Sequence, residues 1–157
     1  MSAKTGLKAR IQADIAEAVR AGDELSKSTL RMALAAIMNA EVAGSEAVVL
    51  SDDQIINVLR AEMKKRAESA EIYEQAGRAA SASKERAEIT IIETYLPAAM
   101  DAGELASIVS QEVAAAAVNG QAGPKAMGVV IKAVKERVGA SADGATIAAA
   151  VKSALEC

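Results

Sequence analysis

Half of this chain is hydrophobic and almost none of it is aromatic: 52% of the residues are apolar, yet Tyr73 and Tyr95 are the sole aromatics. That pairing constrains the fold more than any motif. Ala, Ile, Leu, Val and Met fill the thin seams between close-packed helices. Strand-rich cores draw instead on β-branched and aromatic residues together. A length of 157 residues suits one domain or two small ones.

The apolar positions repeat with helical period. Leu7, Ile11, Ile15 and Val19 mark a first helix that stops at Gly22, and Asp23 is placed to cap a second carrying Leu30, Leu34, Ile37 and Met38. Residues 44–50 read as a loop, with Val48-Val49-Leu50 the one strand-like triplet. Ser51-Asp-Asp-Gln54 is a capping box opening the longest helix, whose apolar face runs through Ile55, Ile56, Leu59, Met63, Ala67, Ala70 and Tyr73 to Gly77. A serine-rich turn is expected at 80–83, then a helix with Ile89, Ile91, Ile92 and Tyr95 that Pro97 ends. Beyond it, Asp101-Ala-Gly-Glu104 caps a helix with Leu105, Ile108, Val109 and Val113. Pro124 sits at the expected first position of a helix bearing Met127, Val130, Ile131, Val134 and Val138, and Ile147, Val151 and Leu155 mark the last. The expectation is an all-α chain of two small subdomains, an N-terminal bundle of long helices over 1–96 and a C-terminal three-helix subdomain over 97–157.

Much chemistry is excluded. There is no histidine, which removes the commonest general base and the commonest zinc ligand. The single cysteine is Cys157, so no intrachain disulfide forms, and a reducing cytoplasm is the expected location. The charged N-terminal residues do not resemble a signal peptide, and the bland run 113–118 is far too short to span a bilayer. Gly120-Gln-Ala-Gly-Pro-Lys125 lacks the spacing of a phosphate loop and reads as a helix-opening turn. Asp52 and Asp53 fit a helix first turn, and Glu68, Glu71, Glu85 and Glu88 read as solvated ion pairs. No catalytic constellation, cofactor or metal site is expected.

Charge is the remaining carrier of function. A net charge of −3 argues against general coating of nucleic acid but leaves room for local basic faces. Lys64-Lys65-Arg66 is a compact triple cation, readable either as part of a mixed surface or as a partner contact. Lys125, Lys132 and Lys135 fall within an arc of about 80° opposite the Val130–Val134–Val138 seam, a surface able to meet phosphates without reading sequence.

Leu7-Lys-Ala-Arg-Ile-Gln-Ala-Asp-Ile15, Ser28-Thr-Leu-Arg-Met32, Lys65-Arg-Ala-Glu-Ser69, Tyr73-Glu-Gln-Ala-Gly-Arg78, Glu93-Thr-Tyr-Leu-Pro97 and Met127-Gly128 follow one another in an order that resembles the GatB/YqeY family across essentially the whole chain. The resemblance implies a fold like the tRNA-contacting tail of the B subunit of aminoacyl-tRNA amidotransferases, without the domains that perform glutamine-dependent transamidation. It implies a tRNA or a tRNA–enzyme complex as partner. Arg31, Arg66, Arg78, Lys125, Lys132 and Lys135 are then the candidate phosphate contacts, beside Lys64 and Lys65 from the charge reading. The chain departs from the family pattern at Ala126, Val129 and Ala145, where an acid and two lysines would be usual. A protein-interaction adaptor whose apolar grooves hold a partner helix is the alternative, and a carbon–nitrogen ligase acting alone is the reading with least support from the residues.

Overall fold

The computed structural model describes residues 6–156. Cys157 therefore lies outside the described residues. Seven α-helices and two short 3-10 turns make up the regular structure, and no strand occurs among the described residues. The fold is all-α. Val48, Val49 and Leu50 belong to no helix or strand, and the Val48 amide donates to the Glu41 carbonyl at 2.9 Å.

The chain divides into two compact units, Met1–Leu96 and Pro97–Cys157. The first unit holds α1 (Leu7–Ala21), α2 (Glu24–Glu41), α3 (Asp52–Gln75) and α4 (Ala79–Glu93). Its core gathers Ile11, Leu30, Ala33, Ile37, Ile55, Leu59, Ile92 and Tyr95. Helix ends are set by local chemistry. Asp23 accepts from the Ser26 amide, and Ser51 and Gln54 close the reciprocal capping box. α1 ends at Gly22, φ +70°, and the Asp23 amide reaches back to the Ala18 carbonyl at 2.9 Å. α3 ends the same way: Gly77 takes φ +74° and the Arg78 amide donates to the Tyr73 carbonyl at 2.8 Å. This left-handed turn satisfies carbonyls that the helix leaves open, and only glycine enters it without strain. Asp52, in the first turn of α3, also accepts from the Leu7 amide at 3.1 Å and so caps α1 from across the unit.

Two sequence expectations are corrected. The serine-rich stretch 80–83 is not a turn but the opening of α4, and Ala82 within it is fully buried. Its small side chains let α4 lie close on its neighbours, so packing overrides a composition that suggests a loop. The buried face of α3 is also rotated from the expected one. After Leu59 it passes through Glu62 and Arg66, while Ala67 is exposed.

The second unit is a three-helix bundle of α5 (Ala102–Val118), α6 (Met127–Val138) and α7 (Gly144–Leu155), each packed on the other two. Leu105, Val109, Ala116, Ala126, Val130, Val134, Val138, Ile147 and Val151 form its core. Asp101 caps α5 through the Gly103 and Glu104 amides, and Asp143 caps α7 through Thr146. α6 begins at Met127, not at Pro124. Pro124 belongs to a 3-10 turn, Gly123–Ala126, that precedes the helix.

Candidate functional site

The basic residues of the second unit stand where α6 leaves its polar side to solvent. Val130, Val134 and Val138 pull one face of the helix inward, which turns Lys132 and Lys135 outward. Lys125 is exposed too, but it rides on the 3-10 turn, which advances about 120° per residue and not 100°. The arc drawn for a continuous helix therefore holds for Lys132 and Lys135 and not for Lys125. Lys135 leans toward the start of α7, and a Cβ built at Gly144 would lie 3.7 Å from its Nζ. Arg137, two residues on, is engaged differently: its Nη1 donates to Glu112 at 3.1 Å and to Gln111 at 2.9 Å. Lys125 and Lys132 enter no ion pair among the described residues. Ala126 is fully buried, so an acid at that position would be forced into the core. Val129 is exposed on the same helix, one turn before Lys132.

In the first unit the triple cation is split by the helix. Lys64 and Lys65 are exposed, and Lys65 also reaches Glu62 at 3.0 Å. Arg66 points inward, its side chain only 5% exposed. The Arg66 Nε donates to Glu88 at 3.0 Å, and Nη1 donates to the Glu62 carboxylate at 2.9 Å and to the Glu62 carbonyl at 3.1 Å. Arg66 is thus corrected from a phosphate contact to a core residue, because its guanidinium is enclosed and its charge already shared between two carboxylates. Glu88 is corrected with it, from a solvated pair to a buried one. Burial opposes ionisation of Glu62, but the hydrogen bonds from Lys65 and Arg66 outweigh it and hold the carboxyl below the usual glutamate range. Arg31 is exposed on α2, and Arg78 is exposed at the start of α4.

Sequence reasoning missed a second polar device. The Tyr95 hydroxyl donates to Asp14 of α1, and the ring is 6% exposed beneath Arg10, whose Cζ stands 4.6 Å from its centroid. Burial, then the Asp14 carboxylate, push the phenol well above its ordinary range. A helical period shows that Tyr95 faces inward; it does not show that a carboxylate 81 positions away accepts its hydrogen bond.

These placements give physical meaning to the motifs. Tyr73-x-x-x-Gly77-Arg78 builds the left-handed turn that ends α3, Arg66 anchors α3 to α4, and Tyr95 ties the end of α4 to α1. In the first unit these residues maintain the fold. Among the described residues no group of three or more acidic, cysteine or histidine side chains is placed to hold a metal, and no helix is long and apolar enough to cross a membrane. A family model described as Yqey-like protein matches residues 8–155. No curated protein matches the chain.

Proposed function

This chain belongs to the Yqey-like protein family, and from that membership we propose that it is a non-catalytic cytoplasmic module that contacts tRNA, or an enzyme carrying tRNA, through phosphates. The observation that carries the reading is the exposure of three lysines in the second unit, Lys132 and Lys135 on one face of α6 and Lys125 on the turn before it. Much of the other basic charge of the chain is paired with carboxylates: Lys8 with Glu41, Arg20 with Glu17, Arg86 with Glu74 and Arg137 with Glu112. Paired cations offer phosphates little, since a new contact must compete with an existing one. Arg31, Lys64, Lys65 and Arg78 are the exposed candidates of the first unit, Lys65 also reaching Glu62; Arg66 is withdrawn from the set.

The test is a titration of the full chain against total tRNA across a range of salt. Each neutralised phosphate contributes about −0.7 to −0.9 to the slope of log affinity against log salt. Changing Lys125, Lys132 and Lys135 together to Ala is expected to flatten that slope by about 2 units, and Val129→Lys, which adds a cation one turn before Lys132, to steepen it by up to about 1. Affinity that does not change with salt would sink the reading.

A further inference from the structure

Arg66 joins three helices, and its bond to the third is the weak one. Nε and Nη1 hold the carboxylates of Glu88 on α4 and Glu62 on α3. Nη2 turns to α2, where it donates to the Met32 sulfur at 3.9 Å. A thioether is a poor acceptor, so here a charged and enclosed donor is matched with little. The Arg66 side chain is 5% exposed, but Met32 is 57% exposed and lines a depression of about 440 Å³ between α2 and α3. One end of the contact is buried, and the other is open to small solutes.

The gap suits a sulfoxide better than a thioether. An S–O bond of about 1.5 Å laid into 3.9 Å leaves its oxygen about 2.8 Å from Nη2, with an angle of about 125° at the oxygen. Those are the dimensions of a charge-assisted hydrogen bond aimed at an oxygen lone pair. Neither helix has to move. Methionine has three flexible torsions, so Met32 can take up oxygen in solvent and turn it inward. Met38 is comparably exposed but stands about 120° away around α2, while Met63, Met100 and Met127 are half-buried.

We propose that Met32 is a reversible oxidation site whose sulfoxide clamps α2 to the Arg66 cluster. The oxidant is a hydroperoxide such as hydrogen peroxide. A sulfur lone pair attacks one peroxide oxygen, and the O–O bond breaks as the S–O bond forms. The proton on the transferred oxygen passes to the departing hydroxide, giving water; sulfur loses two electrons and the peroxide gains them. Sulfoxide reductases return the thioether with a dithiol, which becomes a disulfide as the oxygen leaves in water. The lysines of the second unit take no part.

The experiment treats the full chain with hydrogen peroxide and locates the added oxygen by peptide mass spectrometry. Urea unfolding of the first unit is then followed by tyrosine fluorescence, since both tyrosines lie in that unit. Met38→Leu leaves Met32 as the one methionine more than half exposed among the described residues. In that variant Met32 is expected to oxidise at least about fivefold faster than Met63. Its oxidation should raise the urea midpoint by about 0.5 M, and sulfoxide reductases should bring the midpoint back. Met32→Leu, which keeps the apolar bulk without the sulfur, should show no rise under the same treatment. A midpoint unchanged or lowered in oxidised Met38→Leu overturns the proposal. So does a rise that survives Met32→Leu, or a Met32 that oxidises no faster than Met63.

Discussion

The two units of this protein solve the same packing problem with different materials. The three-helix unit closes on aliphatic side chains alone, with Val109, Val130, Val134 and Val151 each almost fully buried. The four-helix unit buries Ile and Leu as well, but it also encloses Thr29, Glu62, Arg66 and Glu88. Length is one reason. α3 runs for 24 residues, whereas the longest helix of the second unit, α5, has 17 and α6 and α7 have 12 each. A long antiparallel pair lined by Ala and Ile can slide by a turn and lose little apolar contact. An enclosed Arg66 that must meet both Glu62 on its own helix and Glu88 on the next permits one register. Short helices rich in β-branched valine are held in register by shape, because their side chains have one dominant rotamer. Buried charge here specifies an arrangement more than it strengthens one.

The sharpest way to break this comparison is to remove one member of the cluster. Arg66→Ala leaves Glu88 enclosed without a cation and Glu62 with Lys65 alone, and should cost about 3–5 kcal/mol. Restoring an apolar fill with Arg66→Met, Glu62→Leu and Glu88→Leu together should recover most of that loss. Val134→Ala in the second unit should cost less, about 2 kcal/mol, from two lost methyl groups and the cavity they leave. Both tyrosines belong to the first unit, so tyrosine fluorescence in a urea titration follows that unit alone while circular dichroism follows both. An Arg66→Ala variant as stable as wild type would show that the cluster does not hold the register.

Acid and alkali separate the units next. Glu62 is held below its ordinary value, so its contribution is present above the unfolded pKa of about 4.5 and is lost as pH falls through the lower folded value. Tyr95 is raised, so its contribution is complete below about pH 10 and disappears as pH climbs toward the folded value. The tyrosine-monitored transition should therefore weaken at both extremes, and Tyr95→Phe should remove the alkaline limb. An alkaline limb that survives Tyr95→Phe would reassign it.

Thr29 offers the smallest and opposite effect. It is fully buried in α2 and its hydroxyl has no hydrogen-bond partner among the described residues. Thr29→Val keeps the shape and removes the stranded polar group, so the first unit should gain about 1 kcal/mol. A loss on this change would mean that the hydroxyl has a partner after all, such as an ordered water.

Features that depend on neighbours in the chain were legible in the sequence. Asp23, the Ser51–Gln54 box, Asp101, and the glycine stops at 22 and 77 each act within a few positions, so their chemistry is written in adjacent letters. The all-α class and the inward faces of α6 and α7 follow from period and from the near absence of aromatic residues. The serine-rich start of α4 was misread because local composition favoured a turn, while the close approach of Ala82 to its neighbours favoured a helix. What the tertiary structure alone decided is which charges stay in water. Lys64, Lys65 and Arg66 are consecutive and chemically alike, yet one is enclosed and two are exposed, because Glu88 approaches from 22 positions away. Period can orient a helix to within one residue. Whether that residue meets solvent or a carboxylate depends on the helix packed against it.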